Sequence, residues 1–173
     1  LHHGEGDHFA GGHKMLTGRG GASGADTRQK YPGISAIVAK ECGPRHPGIP
    51  AHVAVPHAAT IGLRPGYFGG SYLGRSYGPF DVGGNPSSET FKVKDVSLNA
   101  SLTLDRLEDR HRLSKRLDSF QRAVDGSGVM ETMDQFDQRA YDLVTGPRAR
   151  QAFDIGSEDS KVREMYGAND WGQ

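Results

Sequence analysis

The sequence has a single cysteine, Cys42, one tryptophan and no sustained run of charge of either sign. A lone thiol excludes an intrachain disulfide framework and a cysteine-rich zinc site, and Cys42 reads as a small apolar residue on a helix. Lys and Arg balance Asp and Glu at 21 each, so neither nucleic acid nor a membrane surface is expected as a partner. No apolar run approaches the roughly 18 residues of a membrane helix, and no signal sequence opens the chain. Apolar residues make up 35% against 25 glycines, a glycine share about twice the usual one. A chain of 173 residues is long enough for one domain with a core, but a loop-rich one.

What the sequence does have is histidine in one place. "LHHGEGDHFAGGHKMLTGRGG" holds His2, His3, His8 and His13, half of the eight in the chain, on a stretch too rich in glycine for a good helix or strand. Imidazole is the commonest metal ligand and the side chain that titrates near neutrality. His3, Asp7, His8 and His13 can therefore converge on one divalent cation, zinc, calcium or manganese, although their spacing of five matches no strict zinc pattern. The other reading has these histidines hydrogen-bonding loop carbonyls. Composition alone leaves both open.

The chain changes character near residue 95. Residues 1–95 are rich in Gly, Pro and His, residues 96–173 are charged and helical, and the two stretches read as one partial domain. "MLTGRGG" has the pattern of a helix end stopped by glycine, and "PGISAIVAKECG" predicts a helix of about two and a half turns that puts Ile34, Ile37, Val38 and Cys42 on one face and closes on Gly43. "AHVAVPH" predicts a short buried strand ended by Pro56, with His57 just past its carboxyl end. A helix followed by a strand is α/β grammar. From residue 58 to 96, Tyr67, Tyr72 and Tyr77 stand among eight glycines. So long a stretch predicts an ordered excursion over a pocket or neighbouring segment, its tyrosines either pinning the loop or contacting substrate.

In the charged, helical stretch, Leu104, Leu107, Leu113, Leu117, Phe120 and Val124 recur mostly every three or four residues, with Thr103 as cap and Gly126 past the end. Val129, Met133, Phe136, Ala140 and Val144 repeat the device from Ser127 to Gly146-Pro147. The two helices, 103–125 and 128–145, are expected to pair as a hairpin. Shorter helices are expected at 148–153 and at 158–166, the latter capped by Ser157. His111, on a charged face, reads as a solvated residue.

"HKMLTGRGG" resembles the sulfatase segment in which a short helix leads into Leu-Thr-Gly-Arg, here Leu16-Thr17-Gly18-Arg19. "GYFGGSYLGRSYGPFDV" and "KVREMYGANDWGQ" extend the likeness, over essentially the whole chain, to a bacterial family of unknown function often described as sulfatase-like, within the alkaline phosphatase superfamily. The resemblance implies a partial alkaline phosphatase-like parallel sheet clad by helices, with divalent metals at strand ends and further ligands outside an internal piece truncated at both ends. It implies a periplasmic or secreted hydrolase of sulfate or phosphate esters, inactive as this isolated piece. The alternative is a non-catalytic relative binding sulfated or phosphorylated glycans. Position by position, His8 falls where a sulfatase has its formylglycine-forming cysteine, so that mechanism is unavailable and His8 reads as metal ligand, acid/base or nucleophile. Arg19 would orient the ester anion or fix its helix end in a salt bridge. His57, Tyr67 and Tyr72 would line the substrate side, since open α/β sheets bind ligands beyond strand carboxyl ends.

Overall fold

The computed structural model describes residues 3–88, 90–93, 96, 102–122, 129–167, 169 and 172, with side chains of 117–122 and 129–136 excepted. His2, Val124, Gly126 and Ser127 lie outside the described residues, as do the side chains of Leu117, Phe120, Val129, Met133 and Phe136. The chain is mixed helix and sheet. Among the described residues it has six α-helices and one parallel pair of strands, in the order α1 (His8–Thr17), α2 (Ile34–Cys42), β1 (Val53–Ala54), β2 (Phe80–Asp81), α3 (Leu104–Arg122), α4 (Val129–Thr145), α5 (Pro147–Ala152) and α6 (Ser160–Tyr166). These fall into two compact units, one of residues 1–45, 50–93 and 159–173, the other of residues 46–49 and 94–158.

In the first unit the glycine-rich opening is a helix after all. Asp7 caps α1 by accepting from the Ala10 amide at 2.8 Å, and Gly18, at φ 71°, closes it with its amide on Lys14 O at 2.9 Å. Glycine inside a helix costs about 1 kcal/mol relative to alanine. Close packing offsets that here: a Cβ on Gly11 would stand 2.8 Å from the His3 ring, and one on Gly12 would stand 2.9 Å from Ile61 Cδ1. α2 has the expected bounds, with Gly43 at its end. Its buried face is Ala36 and Ala39, however, while Ile34, Ile37, Val38 and Cys42 are exposed. The apolar stripe is thus turned away from the body.

β1 is shorter and less covered than its sequence predicts, with Val53 and Val55 at 38% and 55% exposure. Pro56, lacking an N–H, cannot extend a ladder. Its partner β2, which no periodicity announces in two residues, pairs Val53 with Phe80 and Ala54 with Asp81. The parallel crossover between them runs through short 3-10 turns at Gly66–Phe68, Ser71–Leu73 and Arg75–Tyr77 rather than a long helix. The core of this unit is small-residued: Ala22, Ala36, Ala39, Ala58, Val82 and Val93 are buried, and the two largest fully buried described side chains are Tyr67 and His13. α6 is capped by Asp159, whose carboxylate accepts from the Lys161 amide at 2.8 Å, not by Ser157.

In the second unit α3 and α4 pack together as the hairpin expected. Thr103 caps α3 through the Arg106 amide, and Lys115 Nζ donates to Gln138 Oε1 at 3.1 Å across the pair. His111 is not a purely solvated residue: its ring stacks on Tyr141 with centroids 4.5 Å apart. No helix among the described residues is long and apolar enough to cross a membrane.

Candidate functional site

The sequence-derived candidates gather around α1 and around the end of β1. His13, completely buried on α1, is held at both ring nitrogens. The Lys30 amide donates to Nε2 at 3.2 Å, so the ring proton sits on Nδ1, which donates to Arg19 O at 2.7 Å. Thr17 Oγ1 donates to His13 O at 2.7 Å and accepts from the Arg19 amide at 3.1 Å. The segment Leu16-Thr17-Gly18-Arg19 is therefore a hydrogen-bonded helix end built around an imidazole. For His13 the carbonyl-bonded reading is the one observed.

Tyr67 lies against this imidazole, ring centroids 5.0 Å apart and planes at 73°, an edge-to-face contact. Its backbone carbonyl and that of Gly69 accept from Gln29 Nε2 at 3.2 and 2.8 Å, and Gly33 leaves no room for a Cβ, which would stand 2.7 Å from Tyr67 O. Tyr67 thus pins the aromatic loop to the body. The phenol oxygen is buried without a hydrogen-bond partner among the described residues; burial pushes its pKa up, and the Asp7 and Asp26 charges act in the same direction. Tyr72, at 71% exposure, stands in solvent.

The remaining cluster residues do other work. His3 Nδ1 accepts from the Glu5 amide at 3.0 Å. Asp7 spends one carboxylate oxygen on Ala10 and the other on the Gly24 amide at 3.1 Å. His8 is exposed as the first residue of α1. Among the described residues, no three His, Cys, Asp or Glu side chains are grouped so as to hold a metal ion. His3, Asp7, His8 and His13 are thus not gathered as a cage: His13 has both ring nitrogens hydrogen-bonded and Asp7 accepts from two amides. Arg19 is exposed, and its guanidinium makes no hydrogen bond or ion pair among the described residues, so the expected salt bridge at this helix end is not formed.

At the carboxyl end of β1, His57 Nε2 lies 2.7 Å from Arg64 Nη2. Asp81 fixes the neighbouring backbone by accepting from the Ala58 amide at 2.8 Å. Sequence reasoning passed over Arg64; the available signal was a cation seven residues beyond His57 on a segment with a Gly turn between them. It also passed over His52, whose buried Nδ1 has no hydrogen-bond partner among the described residues. Burial pushes the His52 pKa down, against the opposing effects of the Tyr77 backbone and the Asp81 charge.

No curated protein and no solved structure matches the chain. A family model does, over residues 1–173, and its description names no activity. The buried His13 and Tyr67, the capped α1 and the His57–Arg64 pair are therefore features of a chain that belongs to the family described as protein of unknown function (DUF1501).

Proposed function

We infer that the chain supplies the anion-binding wall of a metal-dependent sulfate or phosphate ester hydrolase with an alkaline phosphatase-like parallel sheet. The observation that carries the reading is Arg19, whose guanidinium is exposed and unpaired among the described residues just past the Gly18-closed end of α1; His8 is exposed at the opposite end of the same helix, about 16 Å away by helix rise. A guanidinium fork matches two oxygens of a tetrahedral ester. Imidazole at a helix start, in solvent, is accessible as acid or base. The parallel β1–β2 pair agrees with such a sheet. No step is derived through a metal ion, since the histidine cluster does not form a cage for one.

The test uses the intact protein with aryl phosphate and aryl sulfate, metal added, wild type beside His8→Ala and Arg19→Lys. Loss of rate by about a hundredfold in His8→Ala, with circular dichroism unchanged, supports the hydrolase. Equal rates in all three sink it. A second reading, a non-catalytic binder of sulfated or phosphorylated glycans, is favoured by Tyr72, an aromatic ring at 71% exposure of the kind that recognises sugar faces. It requires glycan binding that Tyr72→Ala abolishes, with no turnover in any variant.

A further inference from the structure

His57 and Arg64 stand on the two arms of a tight turn. Thr60 and Leu63 bridge its arms, N to O at 3.0 and 2.9 Å, and the tip places Ile61 at φ 52° and Gly62 at φ 77°. For glycine the left-handed region is free, but a β-branched residue there is a genuine outlier. The strain is held in place because Ile61 docks on α1: Gly12, having no Cβ, admits Ile61 Cδ1 and Thr60 Cγ2. Residues kept strained by surrounding packing cluster at ligand clamps. Here the turn holds His57 and Arg64 together on the same body as α1.

The chemistry of the pair is asymmetric. Guanidinium has donors only, so in the 2.7 Å contact His57 Nε2 must accept and its proton must sit on Nδ1. Neither side chain makes an ion pair with a carboxylate among the described residues. Arg64 is exposed, so this cation has no counter-ion among them and can swing to take one. A ligand that enters between the two must accept from Arg64 and donate to His57.

We propose that His57 and Arg64 form an oxyanion site that selects phosphate over sulfate. Inorganic phosphate and a phosphate monoester monoanion each carry a P–OH that donates to His57 Nε2, beside P–O⁻ oxygens that accept from the Arg64 fork. A sulfate ester has no such hydrogen at neutral pH. It meets the His57 Nε2 lone pair with lone pairs of its own. The site thus narrows the ester reading given above, on which it rests for the identity of the group, to inorganic phosphate and to phosphate monoesters in their monoanionic form, which prevails only below a second pKa of about 6. Asp81 is the nearby carboxylate, and because it is committed to the Ala58 amide it anchors the His57 arm.

The experiment is a calorimetric titration of the full chain with inorganic phosphate and, separately, inorganic sulfate at neutral pH. Wild type is compared with Arg64→Gln, Arg64→Lys and His57→Phe, with the His57 ring nitrogens followed by NMR. The expected result is phosphate binding at least about tenfold tighter than sulfate, weakened in Arg64→Lys and lost in Arg64→Gln. In His57→Phe the preference disappears while Arg64 still binds both anions weakly. Sulfate bound as tightly as phosphate by wild type overturns the proposal, as does phosphate binding unchanged in Arg64→Gln. Circular dichroism excludes unfolding as the cause of loss, and Arg64→Lys supplies the graded control. Turnover of aryl esters is scored apart: phosphate bound at the pair without turnover in the intact protein sustains the site and sinks the hydrolase. Turnover that Arg64→Gln leaves untouched, with no phosphate bound, sinks the site alone.

Discussion

α1 and α2 are neighbours in sequence and members of one compact unit, yet they use their side chains in opposite ways. α1, with two glycines and a histidine in its interior, buries the polar His13 and Thr17. α2, the more apolar helix, buries two alanines and leaves Ile34, Ile37 and Val38 in solvent. The difference teaches that burial follows satisfied hydrogen bonds at His13 and Thr17 and close backbone approach on α2, rather than apolar content. His13 is inside because the chain returns twice to meet it, at Arg19 and at Lys30. α2 approaches Tyr67 and Phe68 closely enough that Gly33, at its start, has no room for a Cβ, and only small residues fit on that side.

The largest expected effect breaks this arrangement at its centre. His13→Ala removes a fully buried ring, leaves the Lys30 amide without its side-chain partner and the Arg19 carbonyl with only Thr17 Oγ1 at 3.0 Å, and opens a gap beside Tyr67. About 3 kcal/mol of stability should be lost, read as a shift of the urea midpoint with the slope unchanged. A loss under about 0.5 kcal/mol would mean that this imidazole is not the pin of the loop. Were His13 instead a metal ligand, the loss would appear only against metal-loaded wild type and vanish on chelation.

How much of this was legible beforehand follows from the range of the interactions. Helix ends carry local signals, and so Gly18, Gly43, Thr103 and Gly146 mark real boundaries. The α3–α4 hairpin is written in apolar stripes, although Leu104 and Leu113 of the first stay 49% and 59% exposed. By contrast, a strand of two residues has no period, which hid β2, and the direction of α2's stripe depends on what the loop of residues 66–70 brings to it. The histidine cluster was the hardest to read because its members diverge: His3 accepts from the Glu5 amide, His13 meets two backbone groups and His8 stands in solvent, while His57, farther along, meets an arginine. Spacing cannot distinguish a ligand from a hydrogen-bonding histidine when the deciding atom lies seventeen residues away, as Lys30 N does from His13.

A smaller effect sharpens the comparison at the start of α1. Asp7→Ala removes the side-chain cap at Ala10 and the tie to Gly24. α2 has no side-chain cap to lose. Loss of a cap costs typically about 1 kcal/mol, and because Asp7 is exposed no buried group is stranded. Asp7→Asn, whose amide oxygen can still accept from Ala10, should recover most of the difference. If Asn and Ala cost the same, the tie to Gly24 or a charge effect outweighs the cap, and the helix start is held otherwise than by the Ala10 bond.

The smallest expected effect lies on α2, and it decides whether the contrast holds in solution. Ile37 is already 40% exposed and Val38 53%, so replacing either by serine returns to water only the part of the side chain that is still covered. Transfer at about 25 cal/mol per Å² acts on that remainder alone, and serine and isoleucine have similar helix propensity. Val38→Ser should therefore change stability by no more than about 0.5 kcal/mol, with Ile37→Ser slightly costlier because it is the more covered of the two. Both should reduce binding of an apolar dye, since they remove exposed apolar surface. A cost approaching that of His13→Ala would contradict the exposed stripe and mean that the face is covered in solution. Covering by association would then show itself directly, because the unfolding midpoint of wild type would rise with protein concentration while that of Ile37→Ser would not.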